Sequence, residues 1–191
     1  MNPKENHDSI PADWIDEPAA RLKRKNQVLF AKDSPFLYDL EALLQGTDHR
    51  AVVLWALELA EQSVSELEKA YPEETRPREA LNAARDWSAG YIKMPLAQRK
   101  ILDCHGFAKE LTSKAHIALC HAVGQACAVV HTAEHALGYP MYALSAIVFR
   151  MGIPDCRAAV EQRKGMYIDR LLFWNAHWQE AQQPWAAFLE K

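Results

Sequence analysis

Apolar residues recur along the chain at intervals of three and four, which is the period of a helix that buries one face. No convincing strand of five or more residues with alternating apolar and polar positions is found, since the short β-branched runs lie inside longer helical periodicity. Proline begins several of the periodic segments and glycine ends several, as expected at helix boundaries. The pattern therefore predicts an all-α fold, a single-domain bundle of seven or eight helices around a central helix rich in small residues.

Capping residues, prolines and glycines predict the helix boundaries. The predicted N-terminal caps are Thr47 or Asp48, Thr75, Thr112 or Ser113, and Asp155. Residues 1–15 are mostly polar, carry no secretory signal and are predicted to be a flexible segment, so the helical domain is expected to cover residues 16–191. The predicted helices span residues 16–32, 34–46, 48–71, 75–90, 95–111, 113–138 and 140–152, and a last helix runs from residue 155 into a tryptophan-rich tail.

The segment from Thr112 to Gly138 is predicted to be one long, buried central helix. At about 100° per residue its small residues fall on one stripe, where a neighbouring helix can approach closely. Residues 115–133 hold no Asp, Glu, Lys or Arg over 19 positions, but three histidines and a glutamine there disfavour insertion into a bilayer. The predicted stripe is Ala115, Ala118, Ala122, Ala126, Val129, Ala133 and Ala136.

The pentapeptide HTAEH, from His131 to His135, matches the H-x-x-E-H signature of a class of zinc peptidases. On a helix the two histidines lie one turn apart and could share a metal ion, with Glu134 as the general base. A catalytic zinc site needs a third ligand, and the spacing of Glu161 or His177 recommends neither. The sequence favours the alternative that both histidines are buried and hydrogen-bonded in the bundle, so no catalytic residue, cofactor or metal is assigned.

The four cysteines, at positions 104, 120, 127 and 156, form no C-x-x-C pair. They are interpreted as reduced thiols, which favours a cytoplasmic location. Cys127 precedes His131 by four residues, but the ladder from Cys127 to His135 would cover about 12 Å of helix, too far for one ion. Cys104 and His105, in the preceding helix, are the remaining side chains that could assist a metal.

The net charge is −3, and charged residues make up 25% of the chain. This balance indicates neither a polybasic surface for nucleic acid nor an acidic tail. The basic run RLKRK, residues 21–25, is interpreted as a solvated helix face. The glycines are spread singly, so no phosphate-binding loop is predicted. Neither a nucleic acid nor a membrane is expected as a partner.

Arginine and tryptophan are concentrated in two segments, RPREALNAARDW and LLFWNAHWQEAQQPWAAFL. Both residue types are enriched at interaction hot spots, so the segments could form a partner-binding patch. The alternative is that the aromatic residues close the end of the helical bundle. The residues concerned are Arg76, Arg78, Arg85 and Trp87 in the first segment, and Trp174, Trp178 and Trp185 in the second.

The order LWALELAE, YP, RPREALNAARDWSAG and AHIALCHAVGQACAVVHTAEHALGYPMYALSAI resembles the immunity-five-like group of small all-helical bacterial proteins, which are assigned to toxin–immunity systems. The resemblance covers roughly residues 48–151. It rests on the tryptophan-containing helix that includes LWALELAE, on R-P-R-E with its A-R-x-W, and on H-A-V and H-x-x-x-H-A in the small-residue helix. Residues outside that range carry none of it.

The resemblance implies a cytoplasmic, non-enzymatic binding protein that neutralises a cognate protein toxin encoded nearby. His131 and His135 match H-x-x-x-H-A and would be part of the fold, whereas Glu134 is incidental to that pattern. Two alternatives stay open. One is a metal-dependent hydrolase using His131, Glu134 and His135, and the other is a helical module that binds another protein or forms a homo-oligomer.

Overall fold

A computed structural model describes residues 13–190. Within this range the chain forms eight α-helices, three short 3-10 turns and no strand, which confirms the predicted all-α bundle. The three turns are Pro35–Leu37, Ala133–His135 and Trp178–Glu180. The helices are α1 (Asp16–Lys23), α2 (Tyr38–Gln45), α3 (His49–Ala70), α4 (Arg76–Ser88), α5 (Met94–Ala108), α6 (Lys114–Ala128), α7 (Gly138–Met151) and α8 (Arg157–His177).

The central helix is α6, which packs against α3, α4, α5 and α7. The first part of the predicted stripe of small residues is buried, as expected for a seam between closely approaching helices. None of the helices between residues 13 and 190 is both long and apolar enough to cross a membrane. The buried stripe residues on or next to α6 are Ala115, Ala118, Ala122, Ala126 and Val129.

Helix α3 supplies the largest buried side chain, Trp55. Its indole Nε1 donates a hydrogen bond of 2.9 Å to the backbone carbonyl of Tyr167 on α8. The two rings also meet edge to face, with centroids 6.5 Å apart. Trp55 therefore fixes α8 against α3 through both packing and a satisfied polar group.

Helix α6 is shorter than predicted, because it ends at Ala128 rather than at Gly138. Thr132 adopts an extended conformation, and its hydroxyl accepts a hydrogen bond from the backbone N–H of Glu134, which starts a separate 3-10 turn. His49, at the start of α3, lies 2.6 Å through its Nε2 from the carbonyl of Val129. This contact satisfies one of the carbonyls that every helix end leaves without an internal partner. Gly138 begins α7 instead of ending α6.

Helix α1 also ends early, at Lys23 rather than near Lys32. Lys25 has a φ of 61°, and the following N–H of Asn26 returns to the carbonyl of Arg21, an arrangement typical of a helix C-terminus. Trp14, within the segment predicted to be flexible, stacks on Phe36 at a centroid distance of 4.4 Å. Residues 1–12 lie outside the described range.

Two of the predicted N-terminal caps are confirmed, and two are wrong. The side chains of Asp48 and Ser113 accept hydrogen bonds from backbone N–H groups in the first turns of α3 and α6. Thr75 stands at the cap position of α4, but its side chain accepts no backbone N–H bond, and its hydroxyl donates to the carboxylate of Glu79. Helix α8 begins at Arg157, one residue later than a cap at Asp155 implies, with Cys156 at the cap position.

Replacing Ala122 with leucine tests the close packing around α6. Ala122 is fully buried, and a longer side chain would push the neighbouring helices outwards. The free energy of unfolding should therefore fall by about 1–3 kcal/mol, measured by urea denaturation. Ala158→Leu, on an exposed position of α8, is the control and should change that free energy by less than about 0.5 kcal/mol. Equal losses in the two variants would contradict the packing described here.

Candidate functional site

The early end of α6 opens a surface groove of about 340 Å³ between α4, α5, the last turns of α6 and the loop of residues 129–137. The groove combines apolar side chains with imidazole and amide groups, and none of its lining residues is acidic or formally basic. We call it the histidine groove. It is lined by Trp87, Met94, Gln98, Ile101, Leu102, His105, Gly124, Gln125, Ala128, His131 and His135.

One wall of the histidine groove exposes large apolar side chains. On α5, Met94 is 42% exposed and Leu102 is 60% exposed. Ile101 and Leu102 follow Met94 by seven and eight residues, about two helical turns, so both lie near its side of α5. Trp87, at the end of α4, also lines the groove but is only 5% exposed.

The aromatic part of the groove connects three segments that are distant in sequence. The ring of Trp87 is stacked on the imidazole of His131, with centroids 6.3 Å apart and an interplanar angle of 18°. Phe188, from the C-terminal segment, lies 5.9 Å from Trp87 on centroids and is 43% exposed. The exposed imidazole of His131 is therefore held in place by an aromatic neighbour rather than by burial.

His105, which lines the histidine groove, is hydrogen-bonded to a second histidine, His121 of α6. Nδ1 of His105 lies 2.9 Å from Nδ1 of His121, so one imidazole donates a hydrogen bond and the other accepts it. The ring of His105 rests directly on Gly124 of α6, where any Cβ atom would overlap with it. Tyr142 on α7 packs against the far side of His121, at 5.2 Å between centroids. Glycine at position 124 is thus required by this close approach.

The His105–His121 pair is neutral in the folded protein at physiological pH. Burial lowers the pKa of His105, and the proximity of His121 and Lys109 lowers it further. Burial alone lowers the pKa of His121. A proton added to either ring would place a charge in a half-buried site without a carboxylate partner, which is unfavourable.

The prediction that His131 and His135 are buried inside a helix is wrong. Both are exposed, and both follow the end of α6. The one-turn helical spacing on which the zinc hypothesis rested is therefore absent. Glu134 lines a neighbouring cavity with Lys32 and Tyr142, and His135 lines both that cavity and the histidine groove. Among residues 13–190, no group of three or more His, Cys, Asp or Glu side chains is placed to hold a metal ion.

The cysteines near these histidines belong to the core. Cys104, Cys120, Cys127 and Cys156 are all unpaired and buried. The Sγ of Cys104 donates to the carbonyl of Cys120 at 3.6 Å, and burial raises the pKa of Cys127 to about 12. The buried thiols of Cys104 and Cys127 are therefore poor nucleophiles and poor metal ligands at neutral pH.

Histidines do serve the fold, but at other positions than predicted. His116 on α6 lies 2.9 Å from the hydroxyl of Tyr71 through its Nδ1, and their rings meet edge to face. His49 contacts the end of α6, and the His105–His121 pair joins α5 to α6. Histidine therefore has a structural role at these positions, whereas the predicted structural role of His131 and His135 is wrong.

The arginines of the first segment are paired within the bundle. Arg76 contacts Glu74 and Glu110 at 2.6 and 2.7 Å. Arg78 contacts Glu68 at 2.8 Å, and Arg85 contacts Glu61 at 2.7 Å, so both link α4 to α3. Of the predicted arginine–tryptophan patch, only Trp87 reaches the histidine groove.

The tryptophans of the second segment close the bundle against α3. Trp174 Nε1 donates to the carboxylate of Glu58 at 2.5 Å. The guanidinium of Arg50 lies 3.9 Å from the ring centroid of Trp178. Trp185 is partly buried against the core. These contacts support the interpretation of the tail as a packing element.

Together, the fold and the groove define a small helical protein with a surface suited to binding. A sequence model of the family described as "Imm-5 like putative immunity protein" matches residues 42–170, more than half of the 191 residues. The chain therefore belongs to this family, as the resemblance implied, and the match extends through most of α8. No curated protein and no solved structure matches the chain significantly.

Three of the motifs that carried the resemblance lie at this region, whereas LWALELAE and R-P-R-E make their contacts elsewhere in the bundle. Trp87 ends A-R-x-W, His121 begins H-A-V, and His131 and His135 form H-x-x-x-H-A. Trp87, His131 and His135 line the histidine groove. His121 does not line it but is hydrogen-bonded to His105, which does. The sequence did not identify Met94, Leu102 or Gln98 as site residues, because an exposed apolar residue on a helix carries no signal without knowledge of its neighbours.

Replacing Gly124 with alanine tests the contact between His105 and α6. The new methyl group must displace the imidazole and break its bond to His121, so the free energy of unfolding should fall by about 1–3 kcal/mol. Gly165→Ala, inside α8 where a Cβ meets nothing within 4 Å, should raise that free energy by about 0.5–1 kcal/mol. Two changes of the same sign in denaturant titrations would contradict this account.

Stability should decline as the pH falls below the ordinary histidine pKa of 6.5. The folded-state pKa values of His105 and His121 are lowered, so the unfolded chain takes up protons first. Full stability is present above pH 6.5, and it is lost as the pH approaches the lowered values. Urea midpoints between about pH 7.5 and 5.5 measure the loss, which should shrink in His121→Gln. An unchanged pH dependence in that variant would exclude the pair as its source.

Proposed function

We propose that this protein is a cytoplasmic immunity protein that neutralises a cognate protein toxin by direct binding, without chemistry of its own. We further propose that the histidine groove is the contact surface. The observation that carries the proposal is that Trp87, His131 and His135, from two of the motifs on which the resemblance rests, line one surface groove. Membership of the family supports the role, and the geometry supports the choice of surface.

The composition of the groove suits a protein partner. Exposed apolar side chains such as Met94 and Leu102 contribute favourable free energy when a partner removes them from water. Trp87 is only 5% exposed, so it gives the groove a rigid aromatic base rather than a contact surface of its own. Gln98 and Gln125 offer amide groups at the edge, where interfaces are usually polar.

The hydrolase alternative receives no support from the positions of its three residues. His131 stacks on Trp87, whereas Glu134 lines a different cavity. The alternative of self-association uses the same apolar surface, so it must be separated from toxin binding by experiment. A monomer that binds the toxin-like product of a neighbouring gene supports the immunity role.

Leu102→Asp tests the proposed contact surface. Leu102 is 60% exposed, so the change should not affect folding, but it places a charge in the centre of the apolar wall. Affinity for the toxin-like protein encoded next to this gene should fall by about tenfold or more, measured by calorimetry. Protection of cells that express that toxin should be lost in parallel.

Leu172→Asp is the matched control, because Leu172 is 48% exposed on α8 and is not among the residues that line the groove. It should bind and protect as the unchanged protein does. Equal binding by the two variants would refute the groove as the contact surface. Absence of any toxin-like partner, together with a stable dimer that Leu102→Asp dissociates, would favour self-association instead.

A further inference from the structure

A surface pocket with aromatic walls lies between α1, the 3-10 turn of residues 35–37, the start of α2 and α8. Its volume is about 690 Å³, and it shares no lining residue with the histidine groove. The rings on its walls are those of Trp14, Phe36 and Tyr38, and we call it the aromatic pocket. Apart from Lys164, its lining residues precede residue 42, where the family match begins, so the match does not describe this surface.

The rings of the aromatic pocket are fixed by contacts inside the fold. Trp14 and Phe36 are stacked with their centroids 4.4 Å apart. The indole Nε1 of Trp14 donates a hydrogen bond of 2.9 Å to the carboxylate of Glu161 on α8. Tyr38, the first residue of α2, is 54% exposed. The pocket is therefore formed before any partner binds, and much of the Tyr38 side chain is accessible to that partner.

Carboxylates surround these rings. The pocket is lined by four acidic residues and one lysine, which is a formal excess of three negative charges. Of the four, Asp16 and Glu17 form no ion pair with a cation of residues 13–190. Glu17 accepts hydrogen bonds from the backbone N–H of Ala31 and from the hydroxyl of Ser34, which are neutral donors and leave its charge unbalanced. The charge of the pocket therefore complements a positively charged partner group.

The other two carboxylates show how a cation is held at these rings. Lys164 Nζ lies 4.5 Å from the ring centroid of Phe36 and 2.7 Å from the carboxylate of Asp39. The guanidinium of Arg157 lies 5.4 Å from the ring centroid of Trp14 and is also paired with a carboxylate. Each cation thus contacts an aromatic ring and a carboxylate together, and both contacts are attractive for a positive charge.

Tyr38 and Asp16 offer the same two kinds of group, yet within residues 13–190 no cation lies over that ring or pairs with that carboxylate. We propose that the aromatic pocket is a contact surface for an arginine or lysine side chain of a partner protein. One guanidinium or ammonium group fills only part of about 690 Å³, so neighbouring residues of the partner are needed to fill the rest. The proposal does not depend on the role of the histidine groove.

Titration of the full chain with a blocked peptide, Gly-Arg-Gly-Arg-Gly, tests the proposal at low, constant ionic strength. The indole N–H signal of Trp14 and the backbone amide signal of Tyr38 should shift saturably in proton–nitrogen NMR spectra. The same peptide with glutamine in place of arginine should leave both signals unchanged, because it carries no positive charge. Added sodium chloride should weaken binding of the arginine peptide, since exposed charges are screened by salt.

Substitutions in the pocket should change the affinity in both directions. Asp16→Asn and Tyr38→Ala should each weaken binding of the arginine peptide by about threefold, because each removes one exposed contact to the cation. Lys164→Gln should strengthen it by about threefold, because the chain's own cation leaves the pocket. Asp86→Asn and Tyr91→Ala, at exposed positions that do not line the pocket, are the matched controls and should leave it unchanged. Circular dichroism checks that every variant folds.

Two results would overturn the proposal. One is the absence of saturable shifts at Trp14 and Tyr38, or equal shifts with the glutamine peptide. The other is a dissociation constant that the three pocket variants leave within the range of the two controls. Because the peptide contains no toxin sequence and the signals belong to this pocket, neither result bears on the proposed role of the histidine groove.

Discussion

The close packing of α6 is the constraint on which the rest of the structure depends. Small residues along α6 let α3, α5 and α7 approach it, and Gly124 admits the imidazole of His105 against the helix backbone. A helix enclosed in this way presents few of its own side chains to a partner. The proposed contact surface lies where the enclosure stops, at the end of α6, and Gln125 is one of the α6 residues that line it.

The position at which α6 ends determines which residues line the histidine groove. Thr132 starts a new turn, and His49 contacts the carbonyl of Val129, so the chain leaves the core at a defined residue. The following loop carries His131 and His135 outwards, and His131 reaches Trp87 from α4. Residues from two of the motifs on which the resemblance rests thereby line one groove, which is why we propose this groove, rather than the paired arginines, as the contact surface.

Much of this architecture could be predicted from the sequence, because helix period, prolines and the caps Asp48 and Ser113 are local signals. The length of α6 could not, since HTAEH continues the apolar helical pattern and only the Thr132 turn and a contact from distant His49 end the helix. The groove was also beyond sequence reasoning. It depends on the juxtaposition of Met94, Leu102 and Trp87, which is set by helix packing rather than by spacing along the chain.

The central claim is that the packing around α6 partly buries His105 and His121, whereas His131 and His135, which follow the end of α6, are exposed. Modification of the native protein by diethyl pyrocarbonate, quantified for each histidine by mass spectrometry, tests it most directly. The account predicts rapid modification of His131 and His135, at rates close to those of an unstructured peptide, and much slower modification of the half-buried His105 and His121. Protection of His131 and His135 to the same degree as His105 would contradict it.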